Sequence, residues 1–325
     1  MVPFIDMHCD TLTRAAYRLR RDACDLPGTM LDVRRLREGG AAAQFFAVCL
    51  PSLPTVTRLG ALYPGDWRYL RHLVRIFRRT LEQHPDKIAF AGRAADLERN
   101  RAQDLVSAFL TVEDGRLVQG EMANLDALRS LGVRLVTLTW NYANCFGSPN
   151  STDPAVMQQG LTDFGKEAVP EMQKRGILVD VSHLSDGGFR DVAALSTKPF
   201  VASHSNCRAL CAHPRNLTDE MIRTLAEKGG VAGLNQFPEF LRLNAKENSL
   251  GDLTAHLCHM VQVGGMDLPA LGSDFDGIHG KLCLKGPQDY PHLAQALRKK
   301  GFHESEIEKI FSGNAERVIR EAMGT

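Results

Sequence analysis

Short apolar runs alternate with amphipathic stretches almost from end to end of the chain. Eight runs are nearly continuous in apolar residues, at 3–7, 43–50, 106–112, 134–139, 177–181, 200–202, 230–235 and 270–273. Such runs predict parallel strands covered on both faces. Between them, apolar positions recur at helical spacing over 31–38, 66–82, 124–131, 163–175, 186–195, 219–228, 250–263 and 291–300. Gly132, Gly176 and Gly229 stand where a helix has to stop before the next strand. Strand and helix repeated eight times predict an α/β fold, a (β/α)8 TIM barrel, as one domain over 1–325. A doubly wound open sheet is the alternative, but no glycine-rich nucleotide motif follows any strand. The segment SEIEKIFSGNAERVIREAM adds two C-terminal helices, with Ser312 or Asn314 as a cap.

Polar residues gather where the apolar runs end. The first run continues as FIDMHCDTL (4–12), in which Asp6, His8 and Asp10 alternate and are expected on one side of an extended chain. The third run ends at Glu113, the fourth at Trp140 and Asn141, the fifth at His183, the sixth at His204 and the eighth at Asp274 and Asp276. In a barrel all these ends converge on one mouth. A single His or Asp at a strand end usually caps or hydrogen-bonds. Three of the chain's 11 histidines at such ends, with carboxylates from other strands, exceed what capping explains. Imidazole nitrogens with carboxylate oxygens suit zinc, or manganese or iron.

Two metals would share a ligand, and the two oxygens of Glu113 fit that need. His8 and Asp10 would hold one ion, His183 and His204 the other. A pair about 3.5–4 Å apart generates hydroxide and polarises a carbonyl. Asp274 is then free to carry the proton from water to the leaving group. Arg215, in CAHPRNLTDE after the sixth strand, is either a loop arginine paired with an acid or a bidentate clamp for a substrate carboxylate. His213 and His279 stand in mouth loops without an assigned role. His256 and His259 read as a partly buried or surface helical pair.

Composition narrows the classes further. Of 325 residues, 44% are hydrophobic and 24% charged, and the net charge is +1, so no nucleic-acid or anionic-membrane partner is expected. Arg68, Arg71, Arg75, Arg78 and Arg79 share a stretch with apolar residues at helical spacing and read as a solvated helix face. No apolar run reaches the ~18 residues of a membrane span. Eight scattered cysteines without a C-x-x-C pair read as reduced thiols of a cytoplasmic protein without a secretory signal.

The ordered set DMHCD (6–10), TVEDG (111–115), LVTLTW (135–140), LVDVSHLS (178–185), VASHSN (201–206), HPRNL (213–217) and LGSDFDG (271–277) resembles the membrane (renal) dipeptidase family, a branch of the metal-dependent amidohydrolases. The resemblance implies a (β/α)8 barrel with two zinc ions per chain, His8 and Asp10 on one, His183 and His204 on the other, Glu113 bridging. It implies Asp274 as the acid that handles the substrate amine and the proton, and Arg215 as the holder of the dipeptide's C-terminal carboxylate. It also implies dipeptide hydrolysis through a metal-bridged hydroxide, tolerance of a D-residue at the C-terminal position, and homodimers.

One departure stands out. Animal members carry a histidine after T-L-T, near the scissile carbonyl, where this chain has Trp140. Tryptophan donates one N–H and cannot replace an imidazole. Polarisation would then fall to Asn141, Tyr142 or the metal, or the substrate differs. Trp140 and Asn141 are expected to bind substrate beside Arg215 and Asp274. LTWNYAN resembles bacterial members more than animal ones. The alternatives are a related barrel amidohydrolase acting on N-acyl amino acids or lactones, and a scaffold that lost turnover.

Overall fold

The computed structural model describes residues 1–324. Its strands are β1 Phe4–Cys9, β2 Ala41–Cys49, β3 Ile88–Phe90, β4 Val106–Glu113, β5 Val133–Thr137, β6 Leu178–Asp180, β7 Val201–Ala202, β8 Val231–Leu234 and β9 Pro269–Leu271. All pairings are parallel, and β2–β4 and β9–β1 contacts close the ring. The closed barrel contains eight strands, as the alternation predicts. The short β3 is additional. It pairs with the first residues of β4, on the edge that β5 occupies further along. Three residues are too few to carry a periodic signal.

Burial on both faces explains the continuous apolar runs. Ile5, Met7, Ala43, Phe45, Phe109, Leu135, Leu178, Val201, Val231 and Ala270 fill the barrel. Phe4, Phe46, Val48, Leu110, Val112, Val136 and Val179 belong to the larger cluster formed with the surrounding helices. Phe45 and Phe109 stack inside at 4.5 Å between ring centroids. Ala94 and Leu97 of the helix Ala94–Ala102 join the inner cluster, as do Ala315, Val318, Ile319, Ala322 and Met323. These helices plug one end of the barrel and leave the other for chemistry. A Cβ on Gly272 would strike the Ser203 carbonyl, so β7 and β9 approach too closely there for any side chain.

The chain departs from the expected elements in further places. Glu304–Met323 runs as one helical stretch with π-type turns, so neither Ser312 nor Asn314 caps a new helix. Asn314 instead donates to the carbonyls of Met266 and Pro269, both at 2.8 Å, tying this stretch to β9. Cys207 and Cys211, whose spacing suits consecutive turns of one helix, lie in a turn instead. The helices Thr11–Tyr17 and Leu53–Leu59 are only seven residues long and were not legible as periodic patterns. Among the described residues, no helix is long and apolar enough to cross a membrane.

The Phe45–Phe109 stack generates a stability test. Phe45→Ala should destabilise the fold by about 3–5 kcal/mol through lost burial and a residual cavity. Denaturant unfolding followed by circular dichroism measures it, and a change below about 1 kcal/mol would show that the barrel interior is not the packed core described.

Candidate functional site

The first candidate ligand pair, His8 and Asp10, depends on an irregular strand. Ile5 and Met7 point into the barrel, so strict alternation would send His8 outward. The register of β1 against β2 slips between Asp6 and Cys9. A bulge of this kind re-aims side chains, and His8 reaches the mouth. Asp6 does not join it, contrary to the expectation from alternation. Its carboxylate accepts from the Ser273 amide at 2.9 Å and the Tyr290 hydroxyl at 3.2 Å, and serves as a buried strut between β1 and the loop after β9. His183 and Asp274 occupy left-handed backbone conformations, with φ of 69° and 62°. Non-glycine residues rarely adopt these, and such strain gathers at functional sites.

His8, Asp10, Glu113, His183 and His204 meet at the mouth. Glu113 lies between two groups. Its Oε1 is 3.0 Å from His183 Nε2 and 3.4 Å from His204 Nε2. Its Oε2 is 3.8 Å from His8 Nε2. His8 Nε2 is also 3.7 Å from Asp10 Oδ2 and 3.8 Å from Asp274 Oδ1. The two Nε2 atoms of His183 and His204 are 3.1 Å apart.

Hydrogen bonds behind the histidines fix which nitrogens carry protons. Asp180, fully buried in the layer below, accepts from the Ser203 amide at 2.8 Å, the Ser203 hydroxyl at 2.6 Å and the Thr137 hydroxyl at 2.7 Å. The single Ser203 hydroxyl proton is thus committed to Asp180. At 2.7 Å from His204 Nδ1, Ser203 Oγ must accept, so Nδ1 is protonated and Nε2 is bare. Asn141 Oδ1, 3.3 Å from His183 Nδ1, sets the same tautomer there. Two bare nitrogens and a carboxylate oxygen therefore face one another. Both ring nitrogens of His8 and Oδ1 of Asp10 are buried with no hydrogen-bond partner. Unpaired buried polar atoms are costly, and a cation beside His8 Nε2 and the Asp10 carboxylate would satisfy those two groups. Nitrogen ligands at about 2.0–2.1 Å from one ion are compatible with the observed spacing. The donor set fits a metal.

Electrostatics point the same way. Burial, then Arg215 and His8, hold His183 well below the ordinary imidazole range, and burial with His8 does the same to His204. Both are neutral, as ligands must be. Burial opposes charge on His8, yet Glu113, Asp10 and Asp274 outweigh it and push His8 up. Burial, reinforced by Asp10, pushes Glu113 and Asp274 up against the pull of His8. Without a cation the cluster therefore retains protons to compensate its crowded carboxylates.

A cavity of about 510 Å³ opens above the cluster. Arg215, Trp140, Asn141 and Asp274 all line it, as expected. Arg215 is buried, donating to Ser205 Oγ at 3.1 Å and the His204 carbonyl at 3.2 Å. Its Nε has no partner, and no carboxylate pairs with it among the described residues. Trp140 stands 6.4 Å from the His183 ring and forms a wall. His213 and His279 line the cavity too. His256 is a core histidine, its Nδ1 accepting from the Cys207 amide, and His259 pairs with Asp219. Several residues escaped the reading of the sequence. Asn235 Nδ2 holds Asp274 Oδ2 at 2.9 Å. Cys49 approaches Asp10 and Glu113. Asp276 is structural, accepting from Thr11 Oγ1 and the Met30 amide at 2.7 Å each. The motif LGSDFDG carries one more signal. A Cβ on Gly277 would collide with the carboxylates of Asp10 and Asp274, so any side chain there would displace them.

Imidazoles and carboxylates gathered at the strand C-termini of a barrel suit metal-dependent hydrolysis, and this chain is a metal-dependent hydrolase. More narrowly, residues 1–324 match the model of the membrane dipeptidase family, peptidase family M19, and the chain belongs to that family as a metallo-dipeptidase. It is 34% identical over 271 residues to an uncharacterized Klebsiella pneumoniae protein from the pqqA 5′ region, covering 79% of this chain and 97% of that one. It is 30% identical over 330 residues to the dipeptidase aclJ of Aspergillus oryzae, covering 98% and 78%. Among solved structures, a Rhodobacter sphaeroides metallo peptidase with a phosphinate mimic of the dipeptide L-Ala-D-Ala superposes with a TM-score of 0.85, at 27% identity over 99% of both chains.

The retained protons yield a pH test. His8 and Glu113, both raised, must release protons when a cation binds, so metal affinity should rise with pH. Calorimetric titration of metal-free protein in buffers of differing ionisation enthalpy should show proton release, and weaker binding at pH 6 than at pH 8. Affinity independent of pH over that range would contradict the charge balance described.

Proposed function

We propose that the chain is a dinuclear zinc dipeptidase in which His8 and Asp10 hold one ion, His183 and His204 the other, and Glu113 bridges. The observation that carries this reading is the posture of Glu113, one oxygen toward the bare nitrogens of His183 and His204 and the other toward His8. Bound there, two zinc ions supply Lewis acidity and a water of lowered pKa.

The chain's own residues do the rest. Arg215, buried and free of any acid partner among the described residues, takes the dipeptide's C-terminal carboxylate in its planar fork. This measures substrate length, because a longer peptide carries its carboxylate past the guanidinium. Asp274 faces the substrate amine. Asn235 occupies its Oδ2, leaving Oδ1 to accept a proton and return it to the leaving nitrogen. Its upward-shifted pKa suits that exchange. Asn141 orients His183, and Trp140 supplies an apolar wall where an imidazole stands in animal members.

Tolerance of a D-residue at the C-terminal position belongs to this reading, supported by the L-Ala-D-Ala mimic held by the Rhodobacter sphaeroides relative. Placement in the cytoplasm rests on eight free thiols, and pairing of two copies rests on the family resemblance.

The test is hydrolysis of a panel of L–L and L–D dipeptides beside N-acyl amino acids and lactones. Zinc-dependent cleavage of dipeptides is expected, lost to a chelator and restored by zinc. Cleavage confined to N-acyl amino acids or lactones would contradict it. Arg215→Met should raise KM roughly 10–100-fold, the value of a charge-assisted hydrogen bond, with metal content intact. An unchanged KM would remove Arg215 from carboxylate binding.

A further inference from the structure

We propose that Arg14 reads the side chain of the substrate's N-terminal residue, so that the enzyme favours dipeptides beginning with Asp or Glu. The proposal rests on the dipeptidase reading above and names its substrate class. Arg14 lies on the helix Thr11–Tyr17, which leaves β1 directly after Asp10. Its side chain lines the same cavity as Asp10, Asp274 and Arg215.

Arg14 Nε donates to the Asp276 carbonyl at 2.7 Å, which anchors the base of the guanidinium. That bond is the side chain's one recorded hydrogen bond among the described residues, and no carboxylate pairs with it there. The nearby Asp276 carboxylate is already committed to Thr11 and Met30. An arginine anchored through Nε at the rim of an active-site cavity, with its terminal nitrogens unused, is a fork waiting for a planar anion.

Direction follows from the other two anchors. With the dipeptide carboxylate on Arg215 and its amine toward Asp274, the first residue lies on the Asp274 side. Arg14 hangs from the Asp276 carbonyl, on the same loop as Asp274, and lines the cavity with it. The only group a dipeptide can extend there is the side chain of its first residue. A carboxylate on that side chain completes the fork. Lysine or arginine in its place meets like charge.

Arg14 is exposed, so the pairing is partly screened, and salt should weaken it. The expected preference is about two- to fivefold, carried mainly by KM.

The experiment compares kcat and KM of the zinc-loaded enzyme for Glu-Ala, Gln-Ala and Lys-Ala, at low and high salt. Glu-Ala should exceed Gln-Ala about two- to fivefold in kcat/KM, and the ratio should shrink in high salt. In Arg14→Met the ratio should fall toward one, and in Arg14→Glu the advantage over Gln-Ala should pass to Lys-Ala. A wild-type ratio of one or less overturns the proposal without any variant, as does a ratio retained in Arg14→Met. Cleavage of Gln-Ala with no preference for Glu-Ala leaves the dipeptidase reading standing and removes this one. Cleavage of no dipeptide removes both.

Discussion

Everything at the mouth of this barrel depends on one electrostatic requirement. The bare nitrogens of His183 and His204 and an oxygen of Glu113 face one another within 3.4 Å, on side chains that are almost wholly buried. Lone pairs cannot satisfy lone pairs. Inside a protein their repulsion is stronger than in water. Protons relieve it only partly, because the hydrogen bonds behind each ring have already placed those protons on the far nitrogens. A multivalent cation removes the repulsion and turns each contact attractive.

The frame is built to keep that requirement unrelieved until metal arrives. Asp180 fixes Ser203, Ser203 fixes the tautomer of His204, and a fully packed barrel beneath holds Asp180 in place. Outer partners of this kind orient ligands and strengthen binding, at a scale of about 10–100-fold in metal affinity. Glycine at 277 clears the space for Asp10 and Asp274, and Asp6 braces β1 against the loop after β9. Stability and preorganisation thus come from the same buried contacts. The cost is local strain at His183 and Asp274.

Much of this was legible in the sequence, for a definite reason. Strands covered on both faces must be apolar throughout, so a polar residue at their end stands out, and His8, Glu113, His183, His204 and Asp274 all do. What stayed hidden had no periodic or compositional mark. The slip in β1 that turns His8 inward is a backbone event, and alternation alone wrongly sends Asp6 to the same side as His8 and Asp10. Asp180 and Ser203 sit inside the quoted motifs, but nothing in the sequence marks them as the support of His204. Asn235 and Arg14 act across loops distant in sequence, at β9, which no local pattern can encode. β3 is too short to announce itself.

The central claim is that Glu113 joins two cation sites. The most direct measurement is the metal content of the purified protein and of Glu113→Gln, by elemental analysis after saturation with zinc and removal of excess. The account requires about two zinc per chain in the wild type and a loss of at least one in the variant, with the fold retained by circular dichroism. A wild-type protein that takes up no zinc, or a variant that keeps both ions, would contradict it.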